Sequence, residues 1–553
     1  MNKETKNKGL RVIPLSGAET VGLNSYVVEY DDDIFVIDYG VTFPAGESYG
    51  VDYLLPPLEW LKQNKKRIKA IIVTHAHLDH IGGIPFVIDE LGYPPVYGSP
   101  FSVEYLKEKL IEAKKDKNTK LFVTGKDDVL TFGNIKVSFF HVTHSIPQAY
   151  GVCIETPEGR VVYTGDYKLD PHPINEQPTE MHKIEELGRK GVLVALADST
   201  NAFEPGKSKS ESEILENLMD IIRNAKGRTI IATFSSLVTR LGGVIEAAKK
   251  LNKKVLVTGR SLESNIKIAT KIGYIHPQNG VLVSRKDLDK IPDNQLIILT
   301  TGSQGEPMAS LTRIANNKHS FLSIKKTDTV IMSSSIIPNN VLEVQKLMDA
   351  IARRGARIVN SKLMNVHVSG HPNQEDMITM AKALNAKYYI PVHGFTSFAS
   401  QHRLVLSEAG IPESSIFVPV EGGVFSFKDG IMVQEKKLEV EEVKVIEKTM
   451  LPANEPLIAD RKSMASDGVC AVTVVERKGQ KPQFTVNLKG FAQSDVTQEV
   501  VNSLKQRLAN NITSMKDDKT VKKSVYAVLG VYFHKKLGRY PVLAVDVIRE
   551  ASS

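Results

Sequence analysis

The segment from position 71 to 83 constrains this chain more than any other. A short apolar run is followed by a turn that carries three histidines and one aspartate: His75, His77, Asp79 and His80. Side chains alternate along an extended segment, so His75 and His77 point to the same side. Asp79 and His80 lie further round the turn and point to a second position. This one turn therefore predicts ligands for two metal ions, and the fold must bring further ligands to the same edge.

Three later strand-like segments end in residues of the metal-binding types, at His144, Asp166 and His393. The predicted assignment gives each ion three residues and places one residue between the ions: His75, His77 and His144; Asp79, His80 and His393; and Asp166. Imidazole and carboxylate ligands without sulfur suit zinc or manganese. We predict two divalent metal ions per chain, with Zn²⁺ as the first candidate and Mn²⁺ or Mg²⁺ as the others.

The long interval between Asp166 and His393 can hold a complete inserted domain. Residues 205 to 360 alternate helix-like and strand-like stretches, a pattern that predicts a parallel sheet. A charged stretch without glycine follows the resumed metal-binding domain and favours a linker, although its alternation also fits an edge strand. The predicted domains are residues 1–204 and 361–435 for the metal-binding domain, 205–360 for the insertion, 436–455 for the linker and 456–553 for a small α+β domain.

Together these motifs resemble the ribonuclease J family, in the β-CASP branch of the metallo-β-lactamase superfamily. Longer strings strengthen the likeness, including residues 143–147, 259–263 and 301–307. The resemblance implies an α/β protein with a metallo-β-lactamase αββα sandwich, an inserted β-CASP α/β domain and a small C-terminal α+β domain. It also implies that Asp38, after the strand at 34–37, orients the turn that bears the metal ligands.

The resemblance implies that metal-activated water hydrolyses RNA without a covalent intermediate and leaves a 5′-phosphate and a 3′-hydroxyl. The leaving ribose oxygen needs a proton, and His367 is the predicted donor. By likeness to the family, Asp198 is expected to hydrogen-bond the His367 ring and raise its pKa. The predicted catalytic residues are therefore Asp79, Asp198 and His367.

Relatives in this family degrade RNA from a 5′-monophosphate end and also cut internally, in RNA maturation, rRNA processing and mRNA decay. This implies 5′-to-3′ exonuclease and endonuclease activity, and a pocket for a terminal phosphate. The pocket and its channel are predicted at six residues: Ser369, Gly370, His371, Ser235, Ser236 and Arg240. The chain departs from the family at Phe395, where a glutamate usually follows the His-Gly pair.

Composition bears on the cellular location of the protein and on the partners it can bind. Two cysteines exclude a disulfide framework and a cysteine metal site. Since no run approaches about 18 apolar residues, membrane spanning is not expected, and we predict a cytoplasmic protein. The net charge of +8 is too modest to identify a polyanion by itself. Expected partners are RNA, a second or further copy in a homodimer or homotetramer, a paralogue in a hetero-oligomer, and an RNA-degradation complex.

Two other functions stay open on the sequence alone. One is a weakly active or non-catalytic RNA-binding subunit, and the other is a DNA-directed nuclease of the same fold. A small-ester hydrolase is disfavoured, because a small substrate needs no long channel. The complete ligand set favours an active enzyme, while the choice of substrate depends on the family resemblance.

Overall fold

The structure is a computed structural model that describes residues 9–337, 340–452, 455–477, 480–491, 494–512 and 517–550. Contacts divide the chain into two units. The larger contains the described residues up to Gly46 and from Val51 to Met450, and the smaller contains Glu47–Gly50 and those from Leu451 onward. Each unit has its own hydrophobic core.

The larger unit starts with strands and helices, and its strands contribute to three sheets. The strands are β1 (Leu10–Ser16), β2 (Ser25–Tyr30), β3 (Asp33–Ile37), β4 (Tyr53–Leu55), β5 (Ile68–Ile72), β6 (Val96–Gly98), β7 (Leu121–Val123), β8 (Val129–Phe132), β9 (Ile135–Val142), β10 (Ala149–Thr156), β11 (Gly159–Tyr163) and β12 (Val194–Asp198). The helices are α1 (Glu59–Gln63), α2 (Leu78–Ile81), α3 (Ile84–Val87), α4 (Pro100–Glu112) and α5 (Met181–Lys190). Strand β12 is buried at every residue because both faces of its sheet are covered.

The insertion follows as a six-stranded sheet with helices on both faces. Its strands are β13 (Thr229–Ala232), β14 (Lys254–Thr258), β15 (Leu282–Val283), β16 (Leu296–Thr300), β17 (Thr329–Met332) and β18 (Arg357–Asn360). Its helices are α6 (Glu211–Asn224), α7 (Val238–Lys250), α8 (Arg260–Lys271), α9 (Ser310–Ala315) and α10 (Val341–Ala352). All pairs in the order β15-β14-β16-β13-β17-β18 are parallel, which confirms the predicted sheet.

The chain then returns to the three sheets of its first part and completes them. It adds β19 (Tyr388–Val392), β20 (Val424–Lys428), β21 (Ile431–Glu435), β22 (Val443–Ile446) and β23 (Thr449–Met450), with helices α11 (Gln374–Leu384) and α12 (Thr396–Glu408). The eight-stranded sheet has the order β21-β20-β1-β2-β3-β5-β6-β7, and the six-stranded sheet has the order β19-β12-β11-β10-β9-β8.

Three apolar layers hold these two sheets together as a sandwich. One core lies between the sheets and contains residues of both, such as Val28 and Val152. A second core packs helices α1, α3 and α4 on the outer face of the eight-stranded sheet. A third packs α5, α11 and α12 on the outer face of the other sheet. The predicted αββα arrangement is therefore present.

The boundary predicted at residues 436–455 needs a correction. Strand β22 lies within this stretch and pairs antiparallel with β4, so that Val443 faces Leu55. This pairing satisfies backbone groups that a free linker would leave to water. The larger unit consequently extends to Met450, while Ala453 and Asn454 of the predicted linker lie outside the described residues.

The smaller unit is a three-stranded sheet with helices. Its elements are α13 (Leu457–Asp467), β24 (Val469–Arg477), β25 (Gln483–Lys489), α14 (Ser494–Asn511), α15 (Asp518–Tyr532) and β26 (Val542–Glu550). Strand β24 lies between β25, to which it is antiparallel, and β26, to which it is parallel. Leucines and valines of α14 and α15 pack against alternate residues of β24. Among the described residues of the whole chain, no helix combines the length and the apolar character needed to cross a membrane.

Candidate metal centre

Strand direction brings the predicted ligands to one edge of the sandwich. Strands β3 and β5 are parallel, as are β11, β12 and β19. Strands β9 and β11 both run antiparallel to β10, which lies between them, so β9 ends at the same edge as β11. Parallel strands present their carboxyl ends together. The segments that follow β5, β9, β11 and β19 therefore meet.

The first set of candidate ligands consists of three imidazoles, His75, His77 and His144, which we call the histidine group. His75 and His144 are buried and His77 is partly buried. His77 Nδ1 lies 3.1 Å from His75 Nε2 and 3.0 Å from His144 Nε2. In His144 and His75, a hydrogen bond from the outer ring nitrogen, Nδ1, fixes the ring proton on that nitrogen. His144 Nδ1 donates to the Gly370 carbonyl at 2.7 Å, and His75 Nδ1 lies 3.0 Å from Thr74 Oγ1, whose own proton goes to Asp38. Both Nε2 atoms consequently keep lone pairs aimed at one point.

The second set consists of Asp79, His80 and His393, which we call the mixed group. His393 Nε2 lies 3.3 Å from Asp79 Oδ2, and His80 Nε2 lies 3.6 Å from the same oxygen. The outer nitrogens are again held: His80 Nδ1 donates to Asp38 at 2.7 Å, and His393 Nδ1 lies 2.7 Å from Thr200 Oγ1. Asp79 is 32% exposed, so this group is the one open to solvent.

Asp166 stands between the two groups. Its Oδ2 atom lies 3.7 Å from His75 and 3.8 Å from His144 on one side, and 3.2 Å from His80 and 3.4 Å from His393 on the other. One carboxylate oxygen therefore reaches both sets. With Asp166 counted in each, the ligand atoms of a set all lie within 4.8 Å of one another.

The donor atoms fit divalent cations. Nitrogen ligands around a tetrahedral zinc ion lie about 3.3 Å apart, because Zn–N bonds are about 2.0–2.1 Å. The nitrogen pairs of the histidine group are 3.0 and 3.1 Å apart. Among the described residues, Asp166 Oδ1 is buried without a hydrogen-bond partner. A buried carboxylate among converging lone pairs is costly unless a cation compensates it.

Burial and neighbouring charges set the protonation of these rings. Burial lowers the pKa of His77 to about 4 and lowers the pKa values of His75 and His144 well below the usual value. The histidine group is thus neutral, as metal ligation requires. Burial acts in the same direction on His393, but Asp166 and Asp79 outweigh it and raise its pKa to about 9.

Asp38 supports the turn that carries the ligands. Its Oδ1 accepts the Thr74 backbone N–H at 2.8 Å, and its Oδ2 accepts the Thr74 hydroxyl and His80 Nδ1, each at 2.7 Å. The residue has φ +59°, an uncommon conformation that directs the carboxylate back towards the turn. Asp38 therefore orients rings rather than joining either ligand set.

The predicted pairing of Asp198 with His367 is wrong. Asp198 Oδ2 instead lies 2.7 Å from His371 Nδ1. The His371 ring also packs against His144 and His393, at centroid distances of 5.1 and 5.2 Å. Burial opposes ionisation of His371, but Asp198 outweighs it and raises the pKa. His371 is thus the histidine that the Asp198 carboxylate holds beside the ligands.

His367 has a different partner, Arg240. Arg240 donates to His367 Nδ1 at 2.8 Å, so the ring proton must sit on Nε2. Burial and the charge of Arg240 lower the pKa of His367 well below its usual value. The guanidinium itself is 1% exposed and forms an ion pair with Glu211 at 2.6 Å. Arg240, predicted to line the channel, is therefore a buried support for His367.

The other predicted pocket residues lie on loops. Ser369 Oγ accepts the His371 backbone N–H at 3.2 Å, so the two form one turn. A Cβ atom on Gly370 would lie 2.7 Å from His144 Cε1, which explains the glycine there. Ser235 and Ser236 follow β13 and precede α7, and both are partly exposed. The Ser235 carbonyl accepts the Asn265 amide at 2.7 Å.

Two residues of the centre were missed by sequence reasoning. Thr200 Oγ1 donates to Asp198 at 2.7 Å and accepts from His393, which links the two segments. Asn24 Nδ2 lies 3.0 Å from His80 Nε2 and donates to the Asp79 carbonyl at 3.1 Å. Threonine and asparagine are common in turns, so their types alone gave no signal. The position of Thr200, directly after the Asp198 strand end, was the available clue.

Four family models match the chain in succession. They are the metallo-beta-lactamase superfamily at residues 19–207, the ribonuclease J beta-CASP domain at 226–351, the Zn-dependent metallo-hydrolase RNA specificity domain at 358–419 and the ribonuclease J C-terminal domain at 456–550. A solved structure of a protein of unknown function from Enterococcus faecalis V583 has a TM-score of 0.54 at 16% identity and covers 77% of this chain and 100% of its own. That likeness concerns the fold alone.

Curated relatives match over most or all of their length. Ribonuclease J2 of Bacillus subtilis strain 168 is 33% identical, with 99% of this chain and 100% of that protein covered. Ribonuclease J of a Synechocystis species is 36% identical, with 86% and 74% covered. Ribonuclease J 1 of Streptococcus pyogenes serotype M3 is 32% identical, with 99% of each covered.

The sandwich, its insertion and the two ligand sets define a metallo-hydrolase of the metallo-β-lactamase superfamily with a β-CASP domain. More narrowly, the chain belongs to the ribonuclease J family.

Proposed function

We propose that this protein is a metal-dependent ribonuclease that hydrolyses RNA phosphodiesters, both from the 5′ end and internally. The observation that carries the proposal is the pair of ligand sets sharing Asp166, with the Asp198–His371 pair beside them. The names of the relatives and the RNA specificity domain support RNA as the substrate. The complete ligand set argues against a non-catalytic subunit.

Two divalent ions bound by these residues would supply an activated water and offset the charge that develops on the phosphate. The donor set suits Zn²⁺ first and Mn²⁺ or Mg²⁺ as alternatives. Within the chain, Asp38, Thr74 and Thr200 hold the imidazoles with their lone pairs turned inward. Asp79 lies at the open side, where a substrate phosphate can approach.

We assign to His371 the role of proton donor that was predicted for His367. Its Nδ1 is held by Asp198 at 2.7 Å, which leaves Nε2 to face the substrate. The carboxylate favours the charged imidazolium, so a proton is available for the leaving ribose oxygen at Nε2. This proton transfer matters because an alkoxide is a poor leaving group.

We assign His367 and Ser369 to the binding of the 5′-terminal phosphate, to which both would donate hydrogen bonds. Arg240 keeps the His367 proton on Nε2 and keeps the ring neutral, so His367 is a donor at every pH near neutrality. Ser369 Oγ accepts from the backbone at His371, which leaves its O–H for a phosphate oxygen. Because these donors lie next to His371 in one turn, a bound 5′-monophosphate would stand close to the cleavage site. We therefore propose a preference for 5′-monophosphate ends.

One digestion tests these proposals together. A single RNA with a 5′-monophosphate or a 5′-triphosphate, and its DNA counterpart, is incubated with the Zn²⁺- or Mn²⁺-supplied protein and with His77→Ala. We expect RNA products with a 5′-phosphate and a 3′-hydroxyl, faster loss of the monophosphate RNA, and no cleavage by the variant. A 2′,3′-cyclic phosphate in the product mass spectrum would contradict the mechanism. Faster hydrolysis of the DNA would identify a DNA-directed nuclease instead.

Assembly is the remaining part of the proposal. The C-terminal domain match lies in the smaller unit, where Tyr526, Val531 and Tyr540 are exposed on the surface. We propose that this unit joins copies into a homodimer or homotetramer. Sedimentation velocity of the full chain, compared with a Val531→Asp variant, tests the assembly. A monomer at micromolar concentration would contradict it.

A further inference from the structure

Three phenylalanine rings form a cluster on the two segments that carry Thr200 and His393. Phe398 packs edge-to-face against Phe203 at a centroid distance of 5.9 Å and against Phe395 at 5.4 Å. Phe398 is partly buried, whereas Phe203 is 55% and Phe395 is 48% exposed. Phe203 and Phe395 therefore present aromatic surface to solvent on either side of Phe398.

Fold stability does not explain the ring at Phe395. It occupies the N-cap of α12 and makes no side-chain cap hydrogen bond. Serine, threonine, aspartate and asparagine are preferred there because their oxygens accept the free N–H groups of the first turn. A half-exposed phenylalanine neither caps the helix nor fills a core.

Fold stability does not explain the ring at Phe203 either. It lies in the turn closed by the Glu204 N–H on the Asn201 carbonyl at 2.8 Å, where small or polar residues are usual. Its neighbour Ala202 is fully buried and can anchor the turn without it. Apart from its contact with Phe398, the ring leaves more than half of its surface to solvent.

Both outer rings are close to the metal ligands along the chain. Phe395 is two residues from His393, so at most about 7 Å of backbone separates them. Phe203 is three residues from Thr200, whose hydroxyl lies 2.7 Å from His393 Nδ1. Because Thr200 Oγ1 accepts from His393 Nδ1 and donates to Asp198, it ties the two segments together. A nucleotide chain bound at the mixed group would pass within reach of these rings.

We infer that Phe203 and Phe395 form a stacking surface for unpaired bases of the nucleic acid strand beside the scissile phosphate. The inference rests on the proposed function and narrows its substrate to single-stranded segments. Aromatic rings accept any base by its face, and this contact needs a base that is free of a duplex. The residues of the mixed group would hold their ion at the phosphate while the rings hold a neighbouring base.

Equilibrium binding measures the contribution of the rings. In the His77→Ala background, which keeps RNA intact, Phe395→Ala and Phe203→Ala are each expected to weaken binding of single-stranded RNA about 10-fold. Blunt duplex RNA should bind equally to all variants. Phe395→Trp should restore the affinity that Phe395→Leu does not. Phe122→Ala is the matched control, since Phe122 is 43% exposed, packs against Tyr97 and lies on β7.

A spectroscopic measurement separates stacking from a merely structural role. 2-Aminopurine placed beside the scissile phosphate should lose fluorescence on binding to the parent and the Phe122→Ala control. It should lose much less on binding to Phe395→Ala. Phe395→Ser adds a capping hydroxyl to α12, so its Tm should rise while its RNA affinity falls. A ring that served stability would give the opposite Tm change.

The outcomes distinguish this inference from the proposed function. Equal affinity and equal quenching in the two ring variants and the Phe122→Ala control would overturn the stacking surface, even if wild-type protein cleaves RNA. Such a result would point to a protein partner for these rings. Conversely, if the metal-supplied wild type fails to cleave RNA while quenching depends on Phe395, the nuclease proposal fails and the stacking surface stands.

Discussion

The histidine group and the mixed group share Asp166 but differ in charge and in access to solvent. Three imidazoles with lowered pKa values, His75 and His144 buried and His77 partly buried, form the first, so its ligand atoms are ready to bind without losing a proton. The second contains Asp79, which is 32% exposed, and His393, whose pKa is about 9. An ion must therefore displace a proton to enter the mixed group. We expect the two positions to differ in affinity, pH dependence and exchange.

The strongest test removes one ligand from each group. His77→Ala and Asp79→Asn should each lower the rate of RNA cleavage by about 1,000-fold or more, because a lost ion removes several kcal/mol of charge stabilisation. Elemental analysis after dialysis should find the histidine-group ion missing in the first variant and the mixed-group ion missing in the second. His182→Ala, an exposed histidine on α5, serves as the control. Two ions per chain in either ligand variant would contradict the assignment.

The next effect is a difference in pH dependence. Protons compete with the cation wherever the pH is below the pKa of a free ligand ring. As the pH falls from about 8 to about 6, affinity at the mixed group should fall at least about tenfold per unit, because His393 is protonated throughout this window and the neighbouring carboxylates raise the pKa of His80 as well. Affinity at the histidine group should stay constant, since the pKa of His77 is about 4. Calorimetry in buffers of different ionisation enthalpy measures the protons released. Release of no proton at the mixed group would refute the difference.

These two groups also show what a sequence can predict about a site. The seven candidate ligands could be grouped because their residue types and their places at strand ends are written in the chain, and the fold brings them together. The partner of Asp198 could not, because His367 and His371 lie four residues apart on one loop and only the folded backbone decides which ring reaches the carboxylate. Thr200 was missed because its contact with His393, which is distant in the sequence, exists only in the folded chain.

The domain boundaries give a parallel case. The sheet of the insertion was predicted because its apolar strands alternate with amphipathic helices along the sequence. The stretch at 436–455 was assigned to a linker with an edge strand as the alternative, and β22 within it pairs with β4, nearly 400 positions earlier in the chain. Pairing over such a distance has no local signal in a sequence.

Gly370→Ala would perturb the histidine group because the added methyl group would displace the His144 ring. A Cβ atom at this position would lie 2.7 Å from His144 Cε1 and 2.8 Å from His144 Nδ1, so the ring must move away from its place. We expect activity and metal affinity at the histidine group to fall about 10- to 100-fold, as for other changes that misorient a ligand. Gly530→Ala is the control, because a Cβ there has no neighbour within 4 Å and α15 gains about 1 kcal/mol of helix propensity. An unchanged histidine-group affinity in Gly370→Ala would show that His144 tolerates the shift.

The smallest expected effect falls on the mixed group alone. Thr200→Val keeps the shape of the side chain and removes the hydroxyl that accepts from His393 Nδ1 and donates to Asp198. With its outer nitrogen unheld, the His393 ring should bind the ion about 10-fold less tightly, while the histidine group keeps its ion. Thr200→Ser should restore the affinity, and Thr379→Val, at an exposed threonine of α11, should leave it unchanged. The variant also removes one hydrogen bond to Asp198. If metal affinity fell only at the histidine group, the two ligand sets would be coupled through Asp166 rather than supported separately.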